Sequence, residues 1–221
     1  MKKAVLIIST ALDKPTDAVE KELTDRHIPV VRFDTDTYPF SSTLVYDICQ
    51  GSTPNLKLNG NSKFRSIWYR RFRSPQQPKN MDVGHFEFAE KESRYALMGG
   101  ILALSKEVSI LNSPECVWIA EHKPHQLSVA AHCGLKIPDT LISNSPEEAK
   151  SFFTKHNSNV IAKPVRTGYI EDGEQPKAIY TSRVEATHME HISRLSASPV
   201  IFQPLIPKKS DIRVTIVGNK I

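Results

Sequence analysis

Ala4-Val5-Leu6-Ile7-Ile8-Ser9 is a continuous apolar run near the start of the chain, the pattern of a strand covered on both faces. Pro15 to Arg26 follows with Ala18, Val19 and Leu23 at helical spacing, and either Asp13 or Thr16 can cap it. His27-Ile28-Pro29 breaks the helix, and Val30 to Phe33 reads as the next strand, so the opening is a strand, helix, strand unit with a right-handed crossover. No glycine follows the first strand. The dinucleotide fingerprint is therefore absent, which disfavours a nicotinamide-binding domain.

Leu44 to Cys49 and Leu56 to Leu58, separated by Gly51-Ser52-Thr53-Pro54-Asn55, predict a hairpin, and Ser66 to Arg70 predicts another strand. Phe86 to Ser105 predicts a long helix with Phe88, Tyr95, Leu97, Met98, Leu102 and Ala103 as core positions; Gly99-Gly100 either weaken it or allow close packing. After a strand at Val108 to Leu111, Asn112-Ser113-Pro114 marks a domain boundary. Trp118 to Cys133 reads as helical, with Lys123, Gln126, Leu127 and Ala130 on one side, and Gly134 ends it. A strand is entered at Ile137 to Ile142, and Ser145-Pro146-Glu147-Glu148 starts a capped helix running to about Lys155. The remaining expectations are a strand at Ala178 to Ser182, a helix from Glu185 to Leu195, a strand at Pro199 to Gln203 and an alternating strand at Asp211 to Val217.

Between these lies Asn159 to Ile170. Val160 to Ala162 reads as a buried strand, Lys163 follows it, Pro164 is expected to stop the sheet pairing, and Gly168 and Gly173 bracket a polar segment able to close as a flap. A cation at a strand end under a loop suits a polyphosphate, and it equally fits a surface lysine at the end of an ordinary strand.

At 221 residues, with 39% hydrophobic and 24% charged, the chain is long enough to bury a substantial core without staples. The net charge of +5 favours an anionic partner without saying which. No stretch has the length of a membrane span or a secretory signal, so the expected location is cytoplasmic. Cys49, Cys116 and Cys133 have no spacing that supports a disulfide framework or zinc knuckle, and the histidines at 122, 125, 132, 188 and 191 read as structural or surface residues. Asp34 and Asp36 flank a threonine in what reads as a solvated turn. Arg70-Arg71-Phe72-Arg73 ends a strand; it can hold a carboxylate or phosphate by bidentate hydrogen bonds, bind nucleic acid, or be a solvated basic strand end.

The order Lys123, Lys163, a glycine loop, Gln203-Pro204-Leu205-Ile206 and Asp211-Ile212-Arg213-Val214 resembles the ATP-grasp ligases. Arg32-Phe33-Asp34-Thr35-Asp36, Trp68-Tyr69-Arg70-Arg71 and Lys123-Pro124-His125-Gln126-Leu127 narrow the resemblance to the peptide-modifying branch of graspetide (microviridin-type) synthetases and ribosomal-protein glutamate ligases. It implies an α/β fold: a pre-ATP-grasp α/β domain over 1–112, the central or lid half of an ATP-grasp fold over 113–206, and the start of the carboxyl-terminal domain over 207–221. In that family ATP activates a carboxylate as an acyl phosphate, which an amine or hydroxyl of a peptide or protein then attacks, mostly through positioning and charge neutralisation.

The resemblance implies that Lys123 and Lys163 contact the phosphates, with Arg166 and Gly168 in a lid over Arg166 to Gln175. Gln203, Leu205 and Ile206 would meet the adenine, Arg213 would act at the phosphates or acyl phosphate, and Arg70 and Arg71 would bind the substrate. Gln203 stands where many relatives carry glutamate, and Lys208 and Lys209 stand where a ribose-binding carboxylate is common, so no ribose contact carries over. ATP, Mg²⁺ and a peptide or protein partner are implied, without nucleic acid or membrane, and dimers are usual in the family. Its Mg²⁺ ligands come from a later part of the fold, so the expectation is an incomplete portion unable to complete ligation alone. A second reading is a nucleotide- or leader-peptide-binding module without catalysis.

Overall fold

A computed structural model describes residues 3–170 and 177–220. The chain divides into two compact units, Met1–Trp118 and Ile119–Ile221. No helix among the described residues is long and apolar enough to cross a membrane.

The first unit runs β1 (Ala4–Ser9), α1 (Lys14–Asp25), β2 (Val30–Asp34), β3 (Leu44–Asp47), β4 (Asn55–Leu58), β5 (Phe64–Tyr69), α2 (Val83–Leu104) and β6 (Ser109–Leu111), with α3 (Pro114–Ala120) crossing the division. Four strands form a parallel sheet in the order β2-β1-β5-β6, while β3 and β4 pair separately as the expected hairpin. Leu6, Ile7 and Ile8 of the central strand are fully buried, as its unbroken apolar run requires. The core gathers Leu6, Ile8, Phe33 and Ile67 from the sheet, Leu56 and Leu58 from the hairpin, and Leu97, Ile101 and Leu104 from α2.

The packing face of α2 differs from the expected one. Leu97, Gly100, Ile101 and Leu104 are its buried positions, spaced i, i+3, i+4 and i+7, whereas Phe88 and Tyr95 are exposed. The true stripe runs through a glycine, because a Cβ at Gly100 would lie 2.9 Å from Cδ1 of the buried Leu56, while a Cβ at Gly99 meets nothing within 4 Å. Gly99→Ala should therefore raise stability by up to about 1 kcal/mol through helix propensity. Gly100→Ala should lose that gain to the displacement of Leu56, and thermal unfolding of the two variants side by side checks the contrast.

The second unit contains α4 (Lys123–His132), β7 (Leu141–Ser143), α5 (Pro146–Lys155), β8 (Val160–Pro164), β9 (Tyr169–Ile170), β10 (Lys177–Ala178), β11 (Ser182–Arg183), α6 (Ala186–Glu190), a 3-10 helix (Ile192–Ala197) and β12 (Val200–Pro204). An antiparallel sheet is ordered β11-β8-β12-β7, and β9 pairs with β10 apart from it. Helix α5 starts as predicted: the Ser145 hydroxyl accepts the Glu148 N–H, and Pro146 occupies the first turn.

Five expectations are corrected here. Pro164 does not stop the pairing but stands opposite Val200, and β11 pairs only Ile161 and Ala162, so the proline lies past the end of the ladder on that side. Residues 178–182 are not one strand; their ends join two different sheets. The helix predicted from Glu185 divides into α6 and the 3-10 helix at His191, and the helical region from Trp118 divides at 121–122 into α3 and α4. Residues 211–216, read as a strand, carry no regular element, although Val217 and Lys220 form an antiparallel bridge around Gly218.

Candidate functional site

The two faces of the second unit's sheet carry different duties. Side chains alternate along a strand, so Val160, Ala162 and Pro164 share a face with their cross-strand partners Pro204, Phe202 and Val200. That face forms an apolar cluster with Val184, covered by Ala149, Phe152 and Phe153 of α5 and by Met189, Ile192 and Leu195. The opposite face carries Ile161 and Lys163 of β8, Ile201 and Gln203 of β12, and Arg183 of β11, which stands opposite Ile161. The period-2 pattern therefore sends the lysine away from the apolar cluster.

Lys163 is half-buried, and burial together with the nearby charge of Lys123 pushes its ammonium below the usual lysine range. Among the described residues no hydrogen bond or ion pair engages its Nζ. Lys123 is the first residue of α4, where a cation already opposes the helix dipole. It donates to the carbonyl of Val165 at 2.8 Å and to that of Arg166, which anchors the helix start to the segment after β8. Lys123, Leu127 and Ala130 are the partly covered positions of α4, while Gln126, placed with them from the spacing, is exposed and donates to the Ala120 carbonyl. Two neighbouring ammonium groups and a positive helix end make a place where an anion relieves repulsion.

Gly168 has φ +65°, and a Cβ there would come within 2.4 Å of the Ile179 carbonyl oxygen and 2.5 Å of Pro164 Cγ. Its carbonyl accepts the Ile179 N–H at 2.7 Å, so the chain leaving β8 returns close against itself. Arg166 is exposed. Residues 171–175 of the predicted lid, Gly173 included, lie outside the described residues.

Gln203 is 5% exposed and donates from Nε2 to the Thr140 hydroxyl at 2.8 Å, which in turn donates to the Pro138 carbonyl; among the described residues its Oε1 has no hydrogen bond. The Leu205 N–H is held by the Asn159 carbonyl at 2.8 Å, and its own carbonyl accepts from the Asn159 side chain. The next N–H, of Ile206, has no hydrogen bond among the described residues. Arg213 is exposed, lies outside any element and is not brought to the lysines by any contact among the described residues.

In the first unit the motif Arg32 to Asp36 and the strand end at Arg70 and Arg71 knit together beyond β1. Arg32 bonds Asp17, Glu20 and Asp34 and the carbonyls of Thr10 and Ala11, and this carboxylate cage strengthens its hold on its proton despite burial. Asp36 accepts the Ala11 N–H, and the buried Thr35 hydroxyl donates to the Ser9 carbonyl and accepts the Arg73 N–H. Asp34 and Asp36 are thus engaged structural acceptors. Arg70 pairs through Nε with Asp13 at 3.4 Å, whereas Arg71 is exposed.

Asp13 was absent from the sequence-predicted site. Its buried carboxylate accepts from the hydroxyls of Ser9 at 2.9 Å and Thr16 at 3.0 Å. Burial pushes its pKa up, but those hydrogen bonds and the charges of Arg70 and Arg71 outweigh it and hold the carboxyl below its ordinary value. The hydroxyl spacing around Asp13 was the available signal; its arginine partner, far along the chain, left none.

The histidines and cysteines serve elsewhere. His188 Nδ1 accepts the Glu185 N–H at the start of α6, and all three cysteines are free and exposed. Among the described residues no group of three or more His, Cys, Asp or Glu is arranged to hold a metal ion.

Comparison with solved structures finds the same fold in peptide-modifying ligases. The macrocyclase MdnC of Microcystis aeruginosa, bound with precursor peptide MdnA, is 29% identical with a TM-score of 0.82, over 93% of this chain and 66% of that one. An ATP-grasp ligase associated with RiPPs from Chryseobacterium gregarium, in complex with ADP and a leader and core peptide, is 29% identical with a TM-score of 0.80, over 94% of this chain and 64% of that one. The macrocyclase MdnB of Microcystis aeruginosa matches at 29% identity and a TM-score of 0.76, over 94% and 69%. This chain thus spans about two thirds of the length of these enzymes. No curated protein matches it. The family described as the MvdD pre-ATP grasp domain matches residues 4–117, half of the chain, and the chain belongs to that family.

Proposed function

We propose that this chain is the nucleotide-binding part of an ATP-dependent ligase that activates a carboxylate of a peptide for amide or ester formation. The observation that carries this reading is Lys163, on the sheet face turned away from the apolar cluster, close to the charge of Lys123 of α4, two cations with no ion pair among the described residues. Supporting it, the similar Chryseobacterium ligase was solved with ADP and a leader and core peptide.

In this reading the two ammonium groups hold the phosphates, and the unengaged Oε1 of Gln203 accepts from the exocyclic amine of the base, as a carboxylate at that position would. The unpartnered N–H of Ile206, rather than the engaged one of Leu205, donates to a ring nitrogen. Arg166 and Gly168 belong to the loop above the phosphates, Arg213 to the acyl-phosphate step, and Arg70 and Arg71 to the peptide.

Calorimetric titration of the 221-residue chain with ADP tests the nucleotide part. Saturable binding that weakens with added salt is expected, because the contacts are largely ionic. Absence of binding at millimolar ADP would sink the reading. Binding of leader peptide with no nucleotide affinity would favour a peptide-binding module instead.

A further inference from the structure

One step past the Phe202–Leu141 pair of the second unit's antiparallel sheet, Gln203 of β12 and Thr140, just ahead of β7, meet side chain to side chain. Gln203 lies on the sheet face that carries Lys163, and Thr140 is half-buried.

The hydrogens along this line have one consistent arrangement. The Pro138 carbonyl can only accept, so the Thr140 hydroxyl directs its single proton there, at 2.9 Å. What remains on that hydroxyl is acceptor capacity, and the Gln203 atom 2.8 Å away is therefore the donor Nε2 rather than the carbonyl oxygen. A flipped amide would set Oε1 against a hydroxyl oxygen whose proton is already engaged, leaving two acceptors face to face. Oε1 is thus the end left open. It has no hydrogen bond among the described residues, yet it is not sealed: the one fully buried side-chain nitrogen or oxygen without a partner among those residues is His156 Nε2.

We infer that Thr140 is a positioning residue that determines base specificity: by fixing the Gln203 amide it makes the strand end present an acceptor, so that a purine with an amine at position 6 is taken and one with an oxygen there is rejected. The identity of the ligand as a purine nucleotide rests on the ligase reading; the direction of the amide stands on the geometry. Thr140 acts through Gln203 and needs no contact with the ligand. A carboxylate at 203 would accept at both oxygens without such help, so the glutamine makes selectivity depend on a hydroxyl across the sheet.

The test compares ADP with inosine 5′-diphosphate, which carries an oxygen at position 6, by calorimetry on the intact chain. The parent should bind ADP about tenfold or more tighter. Thr140→Val keeps the shape and removes the acceptor, so both amide directions become populated. That variant should bind inosine diphosphate about threefold or more tighter than the parent does, and ADP no better. A gain for one ligand is not something that loss of stability produces. In the proposed reading the Ile206 N–H opposes the N1 proton of inosine in every variant, so the ratio narrows without vanishing. Thr140→Ser should restore the parent ratio, and in a Gln203→Glu background Thr140→Val should leave the ratio unchanged. In the free parent, NMR should show the Gln203 Nε2 protons in contact with Thr140 and exchanging slowly with solvent, and Gln203→Glu assigns them by removing them. This measurement needs no nucleotide and decides the amide direction if Thr140→Val does not fold.

Fast exchange of those protons, an unchanged ratio in Thr140→Val, or an equal weakening of both nucleotides in that variant would overturn the inference, the last by marking a purely structural role. Equal binding of ADP and inosine diphosphate by the parent would overturn it too, while leaving the ligase reading intact. Binding of neither nucleotide would remove the ligase reading and base selection with it, a result distinct from equal binding because ADP itself is then lost.

Discussion

Lys163→Met is expected to weaken ADP and ATP binding ten- to a hundredfold while leaving the free protein as stable as the parent or more so. The affinity loss follows from removing a charge-assisted hydrogen bond to phosphate, worth about 1.5–3 kcal/mol. The stability effect has the opposite sign because the half-buried ammonium has no hydrogen bond or ion pair among the described residues and feels the nearby charge of Lys123. Its folded-state pKa is depressed, so between that value and the ordinary 10.5 the unfolded chain binds more protons than the folded one. Stability of the free protein should therefore rise as the pH climbs through that window, and the methionine variant should lack this rise. Bound phosphate favours the charged form, so nucleotide binding should take up a proton in alkaline buffer. Calorimetry in buffers of different ionisation enthalpy and melting curves from about pH 7 to 10 measure all three. Unchanged ADP affinity would remove Lys163 from the site.

Gly168→Ala should be severely destabilising to the segment around β8, by about 2–4 kcal/mol. Two causes add. The residue sits at φ +65°, a conformation that costs a residue with a Cβ about 1 kcal/mol. The added Cβ would also meet a backbone carbonyl at 2.4 Å and the Pro164 ring at 2.5 Å, neither of which is the free end of a flexible side chain. Gly134→Ala is the internal control, since it shares a positive φ of +77° but meets nothing within 4 Å, and should cost only about 1 kcal/mol. For a chain of this size, about 1 kcal/mol corresponds to a shift of roughly 2–4 °C in melting temperature. Equal melting temperatures for the two variants would show that the close return of the chain at Gly168 is not a constraint. In a well-folded fraction, the same substitution should weaken nucleotide binding, because the Ile179 N–H bond to the Gly168 carbonyl shapes the turn beside Lys123's anchor.

The elements legible in the chain were those whose covering is continuous. Strands β1, β8 and β12 are short apolar runs with clear ends, and their boundaries fall within a residue or two of expectation. The packing face of α2 was misread because glycine carries no hydrophobic signal, yet Gly100 is buried against Leu56 and its neighbours Leu97, Ile101 and Leu104 follow from it. Residues 178–182 were read as one strand, since local pattern does not distinguish pairing with β9 from pairing with β8.

The site was legible in residue type but not in arrangement. Lys163 advertised itself by its strand, proline and glycine, but its adjacency to Lys123 arises from folding and could be reached only through family resemblance. Leu205 and Ile206 were indistinguishable in the chain. Only the hydrogen bonds from Asn159 show that one backbone N–H is occupied and the next is open. Asp13 had to be found in space, because Arg70 comes from a different strand.

The division of labour between the two faces of the second unit's sheet has a consequence for how its strands find one another. A slip of one residue between β8 and β12 would exchange the two sets, carrying Lys163 towards Phe152 and Leu195 and turning Val160 and Ala162 outward. An unpaired ammonium in that apolar cluster is far less tolerable than in its native, half-buried place. The lysine therefore acts as a proofreader of strand pairing. The same charge that we propose for phosphate binding makes the neighbouring registers untenable in the free protein.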